Sequence, residues 1–251
     1  MLFRNIIFAA LLMGLISGLG ASMLQRFTTT PIILSAEEYE IVEDDAPASA
    51  NSHGEEPSHA QKAIVERDHV HNKEAWAPED GIERAFFTTV ANVLTGIGFS
   101  LLLLSVMAFN RKANAKNGLV WGLAGFAVFF IAPGLGLRPE IPGMQAAVLE
   151  GRQGWWLMTV MFSAVGLALL VFGDKFSRFG GLILIAVPHI LGAPHQEVQS
   201  FIHPDQMAVK ILNGLAVKFM WATAFTAGVF WISLGAMSGY VSERFLNRID
   251  H

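Results

Sequence analysis

Six apolar runs constrain the fold of this chain more than any other feature of its sequence. A bilayer has an apolar core about 30 Å thick, which about 20 helical residues cross. In lipid the backbone must satisfy its own hydrogen bonds, so such runs form helices. Only 15% of the 251 residues are charged, against about 25% in soluble domains. The sequence therefore predicts an all-α polytopic membrane protein with one membrane domain over residues 1–251. Its six transmembrane helices are expected at about 5–25, 85–109, 118–135, 155–173, 179–193 and 211–240.

The basic residues between these runs indicate how the chain is oriented. Lys and Arg concentrate in the cytoplasmic loops of membrane proteins. With a cytoplasmic N-terminus, the short basic segments all fall on the cytoplasmic side: Arg4; Arg111, Lys112 and Lys116; Lys175 and Arg178; Arg244 and Arg248. The first run exceeds the apolar core of a cleaved signal peptide, about 7 to 15 residues, so we expect it to be retained. Both termini are therefore predicted to be cytoplasmic.

A long polar segment, 28–84, follows the first span and is predicted to be an extracytoplasmic loop. It is acidic and carries four histidines: His53, His59, His69 and His71. His69 and His71 are candidate metal ligands, because imidazole and the nearby carboxylates suit late divalent metals. Histidines two residues apart converge on one ion only in irregular backbone, so a merely solvated acidic loop is the alternative. In either case the acidic face concentrates cations by its field.

The fifth run is short, and Pro188 interrupts it just before His189. A proline in a helix frees the carbonyl about four residues earlier, here that of Leu184, and lipid offers it no partner. One interpretation is a kinked span whose last turn lies against protein. The other is a broken helix that lines a polar path, with His189 as a ligand or gate. His195 and His203 follow on the same side of the membrane and are further candidate metal ligands.

Two patterns bear on how the spans pack. Gly14 and Gly18 lie four residues apart, on a helix face that can approach a neighbouring helix closely. A shift of 68 residues superimposes short matches, such as Gly98 on Gly166. This internal repeat predicts two related helical hairpins. Spans two and three form the first and spans four and five the second, and the second span of each is short and ends in proline. Paired interrupted spans of this kind mark substrate sites in transporters.

Polar and aromatic residues mark the expected outer ends of the spans. Trp155 and Trp156 open the fourth run and are predicted to be interfacial anchors. Asn92 and Thr95 have the chemistry to coordinate a cation, although hydrogen bonding between helices is the expected role. Interfacial ion pairs are expected from the charged residues at these ends: Glu83, Arg84, Arg138, Glu140, Glu150 and Arg152.

Four segments of the chain together resemble the CbtA family of bacterial cobalt transporter subunits. They are DGIERAFFTTVANVLTGIGFSLLL at 80–103, GLVWGLAGFAVFFIAPGLGLRPEIPGM at 118–144, RQGWWL at 152–157 and PHILGAP at 188–194. The resemblance implies a multi-pass protein of the bacterial inner membrane that serves B12-linked cobalt uptake. It also implies a small, histidine-bearing membrane partner, CbtB.

The sequence favours a subunit for divalent-metal uptake, with the cation collected at the acidic outer face and passed near Pro188 and His189. The identification of the metal as cobalt rests only on the resemblance to the CbtA family. We expect no enzymatic activity, no prosthetic group and no nucleic-acid partner, and the oligomeric state is left open. A metal-sensing or structural membrane subunit is the main alternative.

A membrane metallohydrolase is the more distant alternative, because His189, His195 and His203 could together hold zinc with an open position. The chain has no H-E-x-x-H motif, and it has no phosphate-binding loop with which to power a pump by itself. The absence of cysteine excludes thiolate metal sites and iron–sulfur clusters.

Overall fold

The computed structural model describes residues 2–39, 78–109, 114–195, 201 and 203–246, which are almost entirely helical. The only β pairing in these segments is an isolated bridge between Met144 and Phe201. In chain order the α-helices are α1 Leu2–Phe27, α2 Thr30–Glu37, α3 Ile82–Phe109, α4 Ala115–Phe126, α5 Ala132–Gly136, α6 Leu149–Phe172, α7 Lys175–Leu191 and α8 Gln206–Val241. A π-helical turn, Ala127–Ile131, joins α4 to α5, and another, Ser242–Leu246, follows α8.

Five stretches of the described helices are long and apolar enough to cross a membrane. They are Ile6–Phe27, Ile82–Ala108, Asn117–Gly136, Leu149–Phe172 and Gln206–Arg244. The all-helical, polytopic membrane character expected from the sequence is therefore confirmed. The predicted fifth span corresponds to α7, whose 17 residues extend about 26 Å as a helix. Length and apolarity alone thus give five crossings rather than six.

Helix α7 runs back along α6. Asp174, in the turn between them, caps α7 by accepting a hydrogen bond from the Ser177 amide at 2.8 Å. Midway, a Cβ added at Gly166 would lie 2.7 Å from the carbonyl oxygen of Gly181, so the two backbones nearly touch. The end of α7 reaches the level of Trp155, in the second turn of α6. Helix α7 therefore runs antiparallel to α6, from the last turn of α6 almost to the first turn of α6.

Pro133, expected to end the third span, and Pro188, expected to interrupt the fifth, both lie within helices. Pro133 sits at the start of α5, directly after the π-helical turn, and the helix continues to Gly136. Local widening of this kind is one way in which a helix accommodates the hydrogen bond that proline cannot make. Pro188 is likewise inside α7, which continues to Leu191 before Gly192 ends it with a φ of 82°. The helix is thus not broken at Pro188.

The first span packs as its glycine spacing predicts. Of the two predicted hairpins, only the one formed by spans four and five is present. A Cβ added at Gly14 or Gly18 of α1 would overlap α3, so these glycines allow the close contact between the two helices. Helix α6 packs against α7, as expected for spans four and five. Helix α3 instead packs chiefly on α1 and α4 on α8, so the predicted pairing of spans two and three is wrong.

Two apolar clusters show which helix ends lie together. Ala36, Ile141, Phe201 and Leu212 form one buried cluster. It unites α2, the connection after α5, the segment after α7 and the first turns of α8, and we call this end of the bundle the α2 end. Ala10, Met13 and Leu104 form a cluster near the opposite ends of α1 and α3. Part of the predicted loop 28–84 is therefore helical and packed, since α2 lies within it.

Candidate functional site

The Pro188–His189 end of α7 is held against α6 by Trp155. Pro188 is fully buried, and its carbonyl oxygen accepts a hydrogen bond from the Trp155 indole Nε1–H at 3.1 Å. The ring of His189 meets that of Trp155 edge-on, with 5.9 Å between centroids. His189 is half-buried as a result. Trp155 is therefore buried between helices and is not an exposed interfacial anchor, whereas Trp156 is 38% exposed.

His195 and Glu140 line a common cavity of about 470 Å³ at the α2 end. Its walls come from the end of α5 and the connection after it, the residues that follow α7 and the first half of α8, including Asn213. The bridge between Met144 and Phe201 ties two of the connections at this end together. We call this cavity the Glu140–His195 vestibule.

The charge of the vestibule does not by itself attract cations. Glu140 forms an ion pair with Arg152, with 2.7 Å between Oε2 and a guanidinium nitrogen, and both side chains are about three-quarters buried. Arg138 also lines the vestibule. Two arginines thus accompany one glutamate, and an arriving cation must compete with Arg152 for that carboxylate. The expected ion pairing at the ends of the spans is confirmed here.

A concentration of carboxylates lies elsewhere at the α2 end, where α2 ends and α3 begins. Arg84 on α3 bonds to Glu37 at 3.1 Å and to Asp80 at 2.9 Å, which ties the two segments together. We call these carboxylates the acidic rim: Glu37, Glu38, Glu79, Asp80 and Glu83. Arg84 pairs with two of these five carboxylates, so the two segments keep an excess of negative charge, which favours cations near this end of α1 and α3.

His203 has a local structural role just before α8. Its Nδ1 accepts a hydrogen bond from the Asp205 backbone amide at 3.0 Å. Asp205 in turn caps α8 by accepting from the Met207 amide at 2.8 Å. A metal ion that took Nδ1 of His203 would have to displace this contact.

The predicted metal residues that the structure describes, His189, His195 and His203, are not gathered into one centre. No three His, Asp or Glu side chains within the described ranges are placed to hold an ion together. His195 lines the vestibule, His189 lies against Trp155, and His203 belongs to the start of α8. His69 and His71 fall outside the described residues.

A second polar feature lies inside the bundle. Asn92 of α3 donates from Nδ2 to Ser22 Oγ at 2.9 Å and to Gln25 Oε1 at 2.7 Å, both on α1. Asn92 and Gln25 border a cavity of about 300 Å³. The expected bonding between helices is confirmed for Asn92, whereas Gln25 was not singled out from the sequence. The sequence feature that could have identified Gln25 is its side-chain amide, which lies three residues after Ser22 at the end of an apolar run.

The sequence profile of one family, described as "Probable cobalt transporter subunit (CbtA)", matches residues 3–243 of this chain. That range is nearly the whole sequence. The chain belongs to the CbtA family.

No curated protein and no solved structure matches the chain. Membership of the CbtA family therefore comes from the family profile, and the arrangement of its helices comes from the geometry above. As a CbtA-family member with several apolar helices, the protein is a multi-pass membrane protein of a cobalt-transport family.

Proposed function

We propose that this protein is the membrane subunit of a divalent-metal uptake system of the bacterial inner membrane, with cobalt as the cargo. The match to the CbtA family over residues 3–243 carries this proposal. The cation is collected at the α2 end, which faces outward, and is passed toward the membrane interior beside Pro188 and His189. The metal is cargo in this scheme, and the protein performs no catalysis.

The proposal includes six crossings, with both termini in the cytoplasm. The buried cluster at the α2 end joins the chain after α1, after α5 and after α7 to the start of α8. Helix α6 leads away from that end, and α7 returns to it along α6. A return over this distance supports α7 as a crossing despite its 17 residues, because its polar ends can lie at thinned or protein-lined borders of the bilayer.

Capture begins at the acidic rim and at the vestibule. The field of the rim raises the local cation concentration, and His195 with Glu140 offers nitrogen and oxygen donors in one cavity. His189 lies close by, because its neighbour Trp155 also contacts Gly136, a residue of the vestibule wall. We assign His189 the role of ligand or gate at the exit from the vestibule.

Additional ligands come from two sources in this scheme. One is the histidine pair His69 and His71 in the acidic segment of this chain. The other is a small, histidine-bearing membrane partner of the CbtB type. Either would complete the coordination that His195 and Glu140 begin, since late divalent metals take four to six ligands.

Uptake into proteoliposomes tests the function. The purified protein, with and without its candidate partner, is reconstituted and given Co²⁺, Ni²⁺ or Zn²⁺ under an imposed voltage or pH gradient. We expect gradient-dependent Co²⁺ accumulation. Metal binding without flux under every condition would instead indicate a sensor or structural subunit, and metal-stimulated hydrolysis of a peptide or ester would indicate an enzyme.

A further inference from the structure

The cavity beside Asn92 lies within the membrane-spanning part of the bundle. It has a volume of about 300 Å³ and is bounded by α1, α3, α8, the π-helical turn and Trp156 of α6. Asn92 is ten residues into α3, about 15 Å along the helix from its start. Polar side chains at such depth are costly and usually functional. Two cavity residues, Phe129 and Phe130, belong to the π-helical turn, a type of distortion found often at functional sites.

Three groups that line this cavity can accept hydrogen bonds, whereas the amide nitrogen of Gln25 is a donor, because its Oε1 accepts from Asn92. Asn92 uses Nδ2 for its two bonds to α1, which leaves its carbonyl oxygen as the acceptor of that amide. Thr223 donates its hydroxyl proton to the Phe219 carbonyl at 2.7 Å, so its lone pairs remain for the cavity. Thr95 adds a further hydroxyl. None of the described residues that line the cavity is charged.

We propose that this cavity is the intramembrane station for the cargo, holding a hydrated divalent cation through the water molecules of its first shell. This inference rests on the proposed uptake function and names a site within it. Six water ligands occupy about 180 Å³ at roughly 30 Å³ each, so a fully hydrated ion fits. Those waters donate hydrogen bonds, which matches the acceptors of Asn92, Thr95 and Thr223. Neutral acceptors hold such an ion weakly enough for it to leave again, as passage requires.

The cavity lies near both collecting features. Arg84, with the acidic rim around it, is eight residues before Asn92 on α3, about 12 Å along the helix. A further cavity of about 480 Å³ shares Trp156 with the Asn92 cavity and Glu140 with the vestibule. The three cavities therefore adjoin one another, from the vestibule at the α2 end to Asn92.

Substitutions of the acceptor residues test this station, with Co²⁺ as the probe. Thr95→Val changes only an acceptor group, whereas Asn92→Asp also removes the Nδ2 donor that bonds to Ser22 and Gln25. Thr95→Val removes a hydroxyl at constant volume, and Thr89→Val is its matched control, because Thr89 lies on the same helix outside the cavity. We expect Thr95→Val to lower the maximal Co²⁺ flux at least about fivefold and Thr89→Val to leave it unchanged. Asn92→Asp places a carboxylate at the station and should raise Co²⁺ affinity at least about tenfold, while lowering flux because the ion is trapped.

Two further readouts separate this inference from the uptake function itself. Co²⁺ bound to detergent-solubilised Asn92→Asp should keep the weak visible absorption of octahedral oxygen coordination. The intense band of tetrahedral coordination with nitrogen would place the ion elsewhere and overturn the inference. Wild-type flux in Thr95→Val, with wild-type affinity in Asn92→Asp, would overturn it too and leave the uptake function standing. Absence of flux in the wild type, with tenfold tighter binding in Asn92→Asp, would overturn the uptake function and support the cation site.

Discussion

The indole of Trp155 and the carbonyl of Pro188 are joined by a buried hydrogen bond of 3.1 Å across the α6–α7 interface. The same carbonyl also accepts from the Gly192 amide at 3.1 Å, which closes the last turn of α7. Trp155 thus anchors the end of a short helix that contains a proline. Because His189 contacts the same indole ring, this anchor also orients the histidine that we propose as ligand or gate.

Replacing Trp155 by Phe should weaken the α6–α7 interface. The indole donor is lost while an aromatic ring remains, so we expect a decrease of about 0.5 to 1.5 kcal/mol in the free energy of unfolding. Denaturant titration of the purified protein measures this change. Trp221→Phe is the control, since Trp221 is 68% exposed and its replacement should be nearly neutral. Equal effects at the two positions would contradict the anchoring role.

Cysteine labelling tests whether α7 crosses the membrane. The chain has no native cysteine, so single cysteines can be introduced without background. An impermeant thiol reagent added outside intact cells should label Ala147→Cys and Gln206→Cys but not Asn114→Cys or Ser177→Cys. Labelling of Ala147→Cys without Gln206→Cys would show that α7 does not cross.

Adding a methyl group at Gly122 should force α4 and α8 apart. Its Cβ would overlap the Trp231 carbonyl and approach the backbone of Gly235, and overpacking of this kind typically costs about 1 to 3 kcal/mol. Thermal unfolding of Gly122→Ala measures the loss. Gly98→Ala is the matched control, because nothing lies within 4 Å of its added Cβ and alanine favours helix by about 1 kcal/mol. A stable Gly122→Ala protein would refute the close packing of these helices.

Replacing His189 by Ala should reduce Co²⁺ flux roughly tenfold or more, a loss typical of disturbed metal coordination. Membrane insertion should stay normal, because the Trp155–Pro188 bond does not involve the imidazole. Uptake into proteoliposomes compares this variant with Ile190→Ala, whose side chain is 79% exposed on the next position of α7. Wild-type flux in His189→Ala would leave His189 as a packing residue, with His195 and His203 as the remaining histidine candidates.

The cap of α7 should make stability depend on acid pH. The Ser177 backbone amide, which donates to the Asp174 carboxylate, holds the pKa of that carboxyl below its ordinary value. A carboxyl with a lowered folded-state pKa stabilises the fold above its unfolded-state pKa, about 3.9, and this contribution is lost as pH falls through the lower folded-state pKa. Wild-type protein should therefore unfold at a higher temperature than Asp174→Asn near pH 7, and the difference should shrink as pH falls through the lowered folded-state pKa of Asp174. A difference that does not depend on pH would contradict this origin.

Part of the candidate site was predictable from the sequence and part was not. The position of His189 beside Pro188 near the end of a span follows from the order of the residues. Its contact with Trp155 does not, because the two residues are 34 positions apart and approach each other only when α7 folds back on α6. Gln25 was missed for the same reason, since its partner Asn92 lies 67 residues away.

The sequence by itself determined that this chain is a bundle of membrane helices, because in lipid the polar backbone of an apolar run must satisfy its own hydrogen bonds. Its motifs also indicated the CbtA family. It also placed most helix boundaries near the ends of the apolar runs. Only the tertiary structure decided which helices pair. Helices α3 and α4 follow each other in the chain, yet α3 packs on α1 and α4 packs on α8. In lipid, pairing depends on close backbone contact at small residues and on a few polar bonds rather than on apolarity. Those contacts join residues that are distant in sequence, so the cavities between them exist only in the folded bundle.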